Sequence, residues 1–78
     1  MSENTVTAYK VAKALNSKLK ELGYDKSVPP QMIYNYMKEG RITGKKGTGQ
    51  TPTVSEAKQF IANYIERYEN RLKETEIL

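Results

Sequence analysis

The sequence contains no cysteine, no histidine and no tryptophan. Without cysteine and histidine the chain cannot form a disulfide, use a thiol nucleophile or an imidazole base, or build the zinc sites that depend on these ligands. These absences remove the groups that most enzyme classes use. We therefore expect no catalytic activity, no cofactor and no bound metal.

Long apolar runs are also absent. No stretch approaches the roughly 18 apolar residues that span a bilayer, and residues 1–7 lack the basic and apolar regions of a signal peptide. We therefore expect a cytoplasmic protein that does not contact membranes. The 78 residues leave room for one domain with one modest core, because a chain of this length buries only roughly 60 to 65% of its unfolded surface.

The charge of the chain is unevenly distributed. The formal net charge is +4, and residues 1–52 carry nine basic side chains against four acidic ones. Residues 53–78 carry four basic and five acidic side chains. The basic excess therefore belongs to the first two thirds of the chain, where it favours a polyanionic partner.

The first helix is predicted from Thr7 to about Leu22, with Thr7 as the N-cap and Gly23 as the left-handed residue after the last turn. Its apolar residues recur at steps of three and four, which places them on one core-facing stripe: Ala8, Val11, Ala12, Leu15, Leu19 and Leu22. Four lysines remain on the rest of its surface: Lys10, Lys13, Lys18 and Lys20. They form either a solvated face or contacts to phosphates.

A turn over residues 23–27 precedes a second helix, which Val28-Pro29-Pro30 opens because proline is tolerated in a first turn. Ser27 or Val28 is expected to cap it, and Gly40 ends it. The predicted core residues of this helix are Ile33, Tyr36 and Met37. The side chains left facing outwards are Gln31, Tyr34, Asn35 and Lys38.

The segment RITGKKGTGQTP, residues 41–52, is rich in glycine and basic residues and predicts a loop or a β-hairpin with short strands around residues 41–43 and 50–53. Thr53-Val54-Ser55-Glu56 then has the form of a capping box, which places a helix start at Thr53 or Ser55. Apolar residues follow at helical spacing for about five turns. We assign residues 1–6 to a flexible N-terminus, 7–73 to the domain and 74–78 to a frayed C-terminus.

This order of elements predicts a mainly α fold, a small winged helix-turn-helix with three helices and a two-stranded β-hairpin wing. A surface helix can enter the major groove of DNA while a basic wing reaches an adjacent strand or groove. The recognition helix spans residues 29–39. Its predicted DNA contacts are Pro30, Gln31, Tyr34, Asn35 and Lys38, and those of the wing are Arg41, Lys45, Lys46, Thr48 and Gln50.

At residues 28–42 the sequence VPPQMIYNYMKEGRI resembles the signature of the MerR-like and excisionase-like winged-helix superfamily. The positions that carry the resemblance are Ile33, Tyr36, Lys38, Gly40 and Ile42. The turn over residues 23–27 is longer than in MerR proteins, and no coiled coil or cysteine-bearing effector domain follows the wing. The stand-alone excisionases of phages and mobile elements are therefore the closer match.

The resemblance implies a sequence-specific accessory protein that binds repeated sites on double-stranded DNA. Such a protein either bends DNA for a recombinase or integrase, as a recombination directionality factor does, or regulates a promoter. Several copies are expected to associate side by side on DNA, because one small domain reads few base pairs. The alternative is a protein-interaction module, such as a phage-encoded inhibitor or adaptor, which exposure of Tyr64 and Tyr68 on the last helix would favour.

Overall fold

A computed structural model of the protein describes residues 4–44 and 51–77. Three helices follow one another along the chain: α1 (Ala8–Glu21), α2 (Pro30–Lys38) and α3 (Val54–Ile77). The predicted mainly α architecture with three helices is confirmed. No helix among the described residues is both long and apolar enough to cross a membrane.

Helix α1 begins and ends at the predicted residues. The Thr7 side chain accepts a hydrogen bond from the Lys10 amide at 3.3 Å, which satisfies one of the free donors of the first turn. At the other end Gly23 has a φ of +86°, and the Tyr24 amide donates to the Leu19 carbonyl at 2.9 Å. This is a Schellman motif, and it turns the chain sharply towards α2.

Helix α2 ends in the same way but begins one residue later than predicted. Gly40 has a φ of +75°, and the Arg41 amide donates to the Tyr36 carbonyl at 2.9 Å. The N-cap is Pro29, with no side-chain hydrogen bond. The expectation that Ser27 or Val28 caps the helix is therefore wrong, because the Val28 backbone is already bound elsewhere.

Helix α3 begins with the predicted capping box. Thr53 Oγ1 accepts from the Glu56 amide at 3.2 Å, and Glu56 Oε1 accepts from the Thr53 amide at 2.9 Å. Of the two predicted starts, Thr53 is therefore the one used. The helix continues to Ile77, past the expected boundary at residue 73. Its 24 residues span about 36 Å, which accounts for the longest dimension of the molecule, 45 Å.

One apolar core joins the three helices. Leu15, Leu19 and Ile33 have no exposed surface, and full burial of a side chain of this size stabilises the fold by about 1.5 to 3 kcal/mol. The other buried hydrophobic residues are Val11, Ala12, Val28, Met37, Ala57 and Ile65. Tyr36, a predicted core residue, packs against this core while partly exposed, and so does Ile42.

The turn between α1 and α2 is held by Asn16. Its side-chain oxygen accepts from the Val28 amide at 2.7 Å, and its side-chain nitrogen donates to the Val28 carbonyl at 3.0 Å. Val28 is 1% exposed, so its backbone groups have little access to water and need these partners. Asn16 thereby fixes the position of the backbone just before the start of α2.

The predicted β-hairpin wing is not supported. Residues 41–43 form a turn rather than a strand, because the Schellman motif at Gly40 curls the chain back and the Gly44 amide donates to the Gly40 carbonyl at 3.0 Å. No regular strand occurs in residues 4–44 or 51–77. Residues 45–50, which include the predicted wing contacts Lys45, Lys46, Thr48 and Gln50, lie outside the described residues.

The segment before α3 pairs with the N-terminal segment instead. Thr53 forms an isolated antiparallel bridge with Thr5. The Val6 amide donates to the Pro52 carbonyl at 2.9 Å, and the Val54 amide donates to the Asn4 carbonyl at 3.1 Å. Residues 4–6, assigned to a flexible N-terminus, are therefore hydrogen-bonded to the start of α3.

A second contact docks the middle of α3 on the turn after α1. The Tyr24 hydroxyl donates to Glu69 Oε2 at 2.7 Å, and its ring meets the Tyr68 ring edge to face at 5.2 Å. The Lys26 ammonium also lies over the Tyr68 ring, 5.5 Å from its centroid. Because the Tyr24 phenol donates a hydrogen bond to the Glu69 carboxylate and is partly desolvated, the pKa of Tyr24 is raised above its ordinary 10.0.

Replacing Asn16 by Ala should lower the free energy of unfolding by about 1 to 3 kcal/mol, because both backbone groups of Val28 lose their partners. For a domain of this size this corresponds to a fall in Tm of about 4 °C or more, measured by circular dichroism. Asn63→Ala is the control, since the side chain of Asn63 makes only an exposed bond within α3, and it should change stability by less than about 0.5 kcal/mol. Equal effects of the two substitutions would contradict the role of Asn16.

Replacing Glu69 by Gln should bring the pKa of Tyr24 back towards 10.0, because the carboxylate no longer opposes ionisation of the phenol. In the native protein the contact contributes stability at every pH below about 10 and loses it as the pH rises through the raised pKa. Nuclear magnetic resonance of labelled tyrosine rings measures both titrations. Tyr64 is the internal control, because burial is the first cause of its raised pKa, and its titration should not move.

Candidate nucleic-acid interface

The orientation of α2 is set by the residues that it buries. Ile33 is fully buried and Met37 is 5% exposed; they lie one turn apart on the same side of the helix. This side packs on α1 through the core, so the opposite side must face solvent. The sequence prediction of which side is buried is confirmed.

The outward side of α2 carries the predicted polar stripe. Gln31, Tyr34, Asn35 and Lys38 are all exposed. They span a rise of about 10 Å, because each residue advances a helix by about 1.5 Å. The structure therefore brings these four predicted contacts together on one narrow surface, which we call the α2 stripe. Pro30 is exposed as well, but it lies to one side of the stripe, next to α1.

Two contacts within the α2 stripe orient its side chains. Gln31 Nε2 donates to Asn35 Oδ1 at 3.2 Å, and the Lys38 ammonium lies 5.7 Å from the centroid of the Tyr34 ring. Asn35 keeps its amide nitrogen as a donor and a second lone pair on Oδ1 as an acceptor. A donor and an acceptor side by side are what a bidentate contact with the edge of adenine requires.

Helix α3 carries the same amide pair with a different charge beside it. Gln59 Nε2 donates to Asn63 Oδ1 at 3.0 Å, with the same spacing of four residues. Such pairs stabilise an exposed helix by about 0.2 to 0.5 kcal/mol and by themselves indicate no ligand. The four residues that follow the α2 pair, 38–41, carry a net charge of +1, whereas the equivalent residues after the α3 pair, 66–69, carry a net charge of −1. The α2 stripe therefore suits a polyanion better than the α3 pair does.

Arg41, the predicted wing contact that the structure describes, folds back on α2. Its guanidinium lies 4.7 Å from the centroid of the Tyr36 ring and 3.8 Å from a carboxylate oxygen of Glu39. Both side chains of this ion pair are at least half exposed, so the pair contributes little to stability and can be exchanged for another anion. Arg41 therefore adds positive charge at the C-terminal end of the α2 stripe.

The sequence analysis missed a groove on the other side of Pro30. It has a volume of about 340 Å³ and is lined by Tyr9, Ala12, Lys13, Asn16, Ser17, Lys20 and Pro30. Among the side chains that the structure describes, Tyr9 is the most exposed large hydrophobic one, at 63%. The spacing of these α1 residues, at steps of three and four beside the apolar stripe, was the available signal, but only the position of Pro30 shows which surface of α1 forms the groove.

The tyrosines of α3 are held in ring contacts. Tyr64 packs against Phe60, with ring centroids 6.1 Å apart, and Phe60 packs against Tyr36 at 5.7 Å. Tyr68 packs against Tyr24. Both tyrosines are partly buried, so they serve the contact between the helices.

Across the described part of the chain, no cluster of acidic side chains has the arrangement of a metal site.

In comparisons with protein-family models, with curated proteins and with solved structures, nothing matches this chain.

Proposed function

We propose that the protein binds double-stranded DNA sequence-specifically through the α2 stripe. The observation that carries the proposal is the combination on one exposed helix face of an oriented Gln31–Asn35 amide pair and the Lys38 cation, with the reverse face of the same helix buried. Amide and lysine side chains are the types that read base edges and phosphates.

The dimensions of α2 fit the major groove. An α-helix with its side chains is about 10 to 12 Å across, and the major groove is about 12 Å wide. In this arrangement Asn35 contacts an adenine with its amide, and Gln31 holds that amide in place. Lys38 reaches a guanine or a phosphate, and Tyr34 contacts a phosphate or a thymine methyl group.

The basic segment that follows α2 supplies further phosphate contacts in this proposal. Arg41 is exposed at the end of the α2 stripe, and Lys45 and Lys46 follow a few residues later in a glycine-rich sequence that also contains Thr48 and Gln50. Positively charged residues beside a recognition helix neutralise backbone phosphates and add affinity without adding specificity. This role requires no β-hairpin.

One nine-residue helix reads only a few base pairs, so useful specificity requires several copies on repeated sites. This agrees with the resemblance to stand-alone excisionases. In that role the protein bends DNA for a recombinase, and its contacts offset the few kcal/mol that bending a short site requires. Regulation of a promoter in a phage or mobile element uses the same surface.

A protein-interaction module remains the second candidate. The tyrosines of α3 that would have favoured it are engaged in ring contacts, whereas the exposed stripe of α2 is polar and basic. The salt dependence of binding separates the two functions, because phosphate contacts weaken steeply with rising salt and an apolar protein interface does not.

Replacing Asn35 by Ala should weaken binding to a preferred duplex by about 1 to 3 kcal/mol and leave binding to a scrambled duplex nearly unchanged, because one bidentate base contact is lost. The preferred duplex is obtained by selection from a random library, and binding is measured by fluorescence anisotropy at a fixed salt concentration.

Asn63→Ala is the matched control, because Asn63 makes the same amide contact with Gln59 on α3, away from the α2 stripe. It should bind both duplexes as the native protein does. Equal losses on both duplexes for Asn35→Ala would refute base reading by Asn35, and equal behaviour of the two variants would remove the α2 stripe from the interface.

A further inference from the structure

The groove beside Pro30 is formed by one face of α1 and the start of α2. Tyr9, Lys13, Ser17 and Lys20 recur on α1 at steps of four and three, so they form a row about three turns long. Asn16 lies in the floor, where both of its polar groups are bound to Val28. The groove is therefore part of the rigid junction between α1 and α2.

The two lysines of the groove form no ion pair with a described acidic side chain. Lys13 and Lys20 are exposed, and among residues 4–44 and 51–77 the one ion pair is that of Arg41 with Glu39. Lys13 and Lys20 lie on the same side of α1, nearly two turns apart, with the Ser17 hydroxyl and the Tyr9 phenol beside them. These are two cations and two hydroxyl donors around one concavity.

The other two lysines of α1 lie elsewhere. At 100° per residue, Lys18 is on the side of α1 away from the groove and Lys10 is about a quarter turn from it, and neither lines the groove. The four lysines look equivalent in the sequence, and the fold divides them into a groove pair, Lys13 and Lys20, and an outer pair, Lys10 and Lys18.

The groove borders the N-terminal end of α2, and further positive charge lies at the C-terminal end of the same helix. Pro30 borders the groove, while Lys38 and Arg41 mark the other end. Positive charge therefore stands near both ends of a helix of nine residues, which is about 13 Å long.

We propose that the groove binds a backbone phosphate of the same DNA duplex whose bases the α2 stripe contacts. Lys13 and Lys20 neutralise the phosphate, and the hydroxyls of Ser17 and Tyr9 donate to its oxygens. The α2 stripe then lies between two phosphate contacts, which fixes its register on the duplex. This inference rests on the proposed function.

The test compares two double variants that each remove two charges from α1: Lys13→Ala with Lys20→Ala, and Lys10→Ala with Lys18→Ala. Binding to the preferred duplex is measured by fluorescence anisotropy between about 50 and 300 mM salt. Loss of the groove pair should reduce the slope of log K against log salt by about 0.9, because the one phosphate contact of the groove is lost. Loss of the outer pair should leave the slope nearly unchanged.

A second measurement follows the groove directly. On addition of the duplex to ¹⁵N-labelled protein, the amide signals of Lys13, Ser17 and Lys20 should shift, and that of Lys18 should not. Circular dichroism should show that both double variants are folded, because all four lysines are exposed.

The outcomes separate this inference from the proposed function. If the native protein binds duplex DNA and the two double variants have equal slopes, the groove does not bind a phosphate and only this inference fails. If the native protein binds no duplex at any salt concentration, the proposed function fails and this inference fails with it. A larger loss of slope for the outer pair would place the phosphate on the opposite side of α1.

Discussion

Asn16 binds both polar groups of the Val28 backbone, and the placement of α2 depends on this contact. After α1 the chain turns in a Schellman motif, and Tyr24 then contacts α3. Four residues later the side chain of Val28 is buried in the core with Leu19 and Ile33. Without Asn16 these buried backbone groups would be unpaired, which would destabilise the fold by about 1 to 3 kcal/mol. Asn16 removes this penalty and thereby holds Val28, two residues before the start of α2, against α1. This contact positions both the α2 stripe and the groove beside Pro30.

The same junction explains why the two surfaces belong together. Ile33 and Met37 turn one side of α2 into the core, so that Gln31 and Asn35 must point away from it. Pro30, at the start of the same helix, must then lie against α1, where Lys13 and Lys20 stand. A base-reading surface and a cationic groove thus share one rigid element, and neither can move without the other.

The helices could be predicted from the sequence because their signals are local. Thr7 and Gly23 bound α1, Gly40 ends α2, and the Thr53–Glu56 capping box starts α3. Apolar spacing also showed which side of each helix is buried, but it was wrong for Leu22, which is 46% exposed because it is the C-cap at the turn that leaves α1. The prediction of wing strands was wrong because strand pairing is not local. Whether Thr53 pairs with the segment after α2 or with Thr5 depends on where α3 packs, and no short sequence pattern contains that information. The groove was missed for the same reason, since its lining comes from two helices.

The central claim is that the α2 stripe meets DNA, and the most direct measurement is a titration of ¹⁵N-labelled protein with a duplex that carries the selected site, followed by nuclear magnetic resonance. The largest shifts of amide signals should fall on four residues of the α2 stripe: Gln31, Tyr34, Asn35 and Lys38. The signals of the exposed α3 pair, Gln59 and Asn63, should not change. Shifts confined to α3, or no shifts when the duplex is in excess, would contradict it.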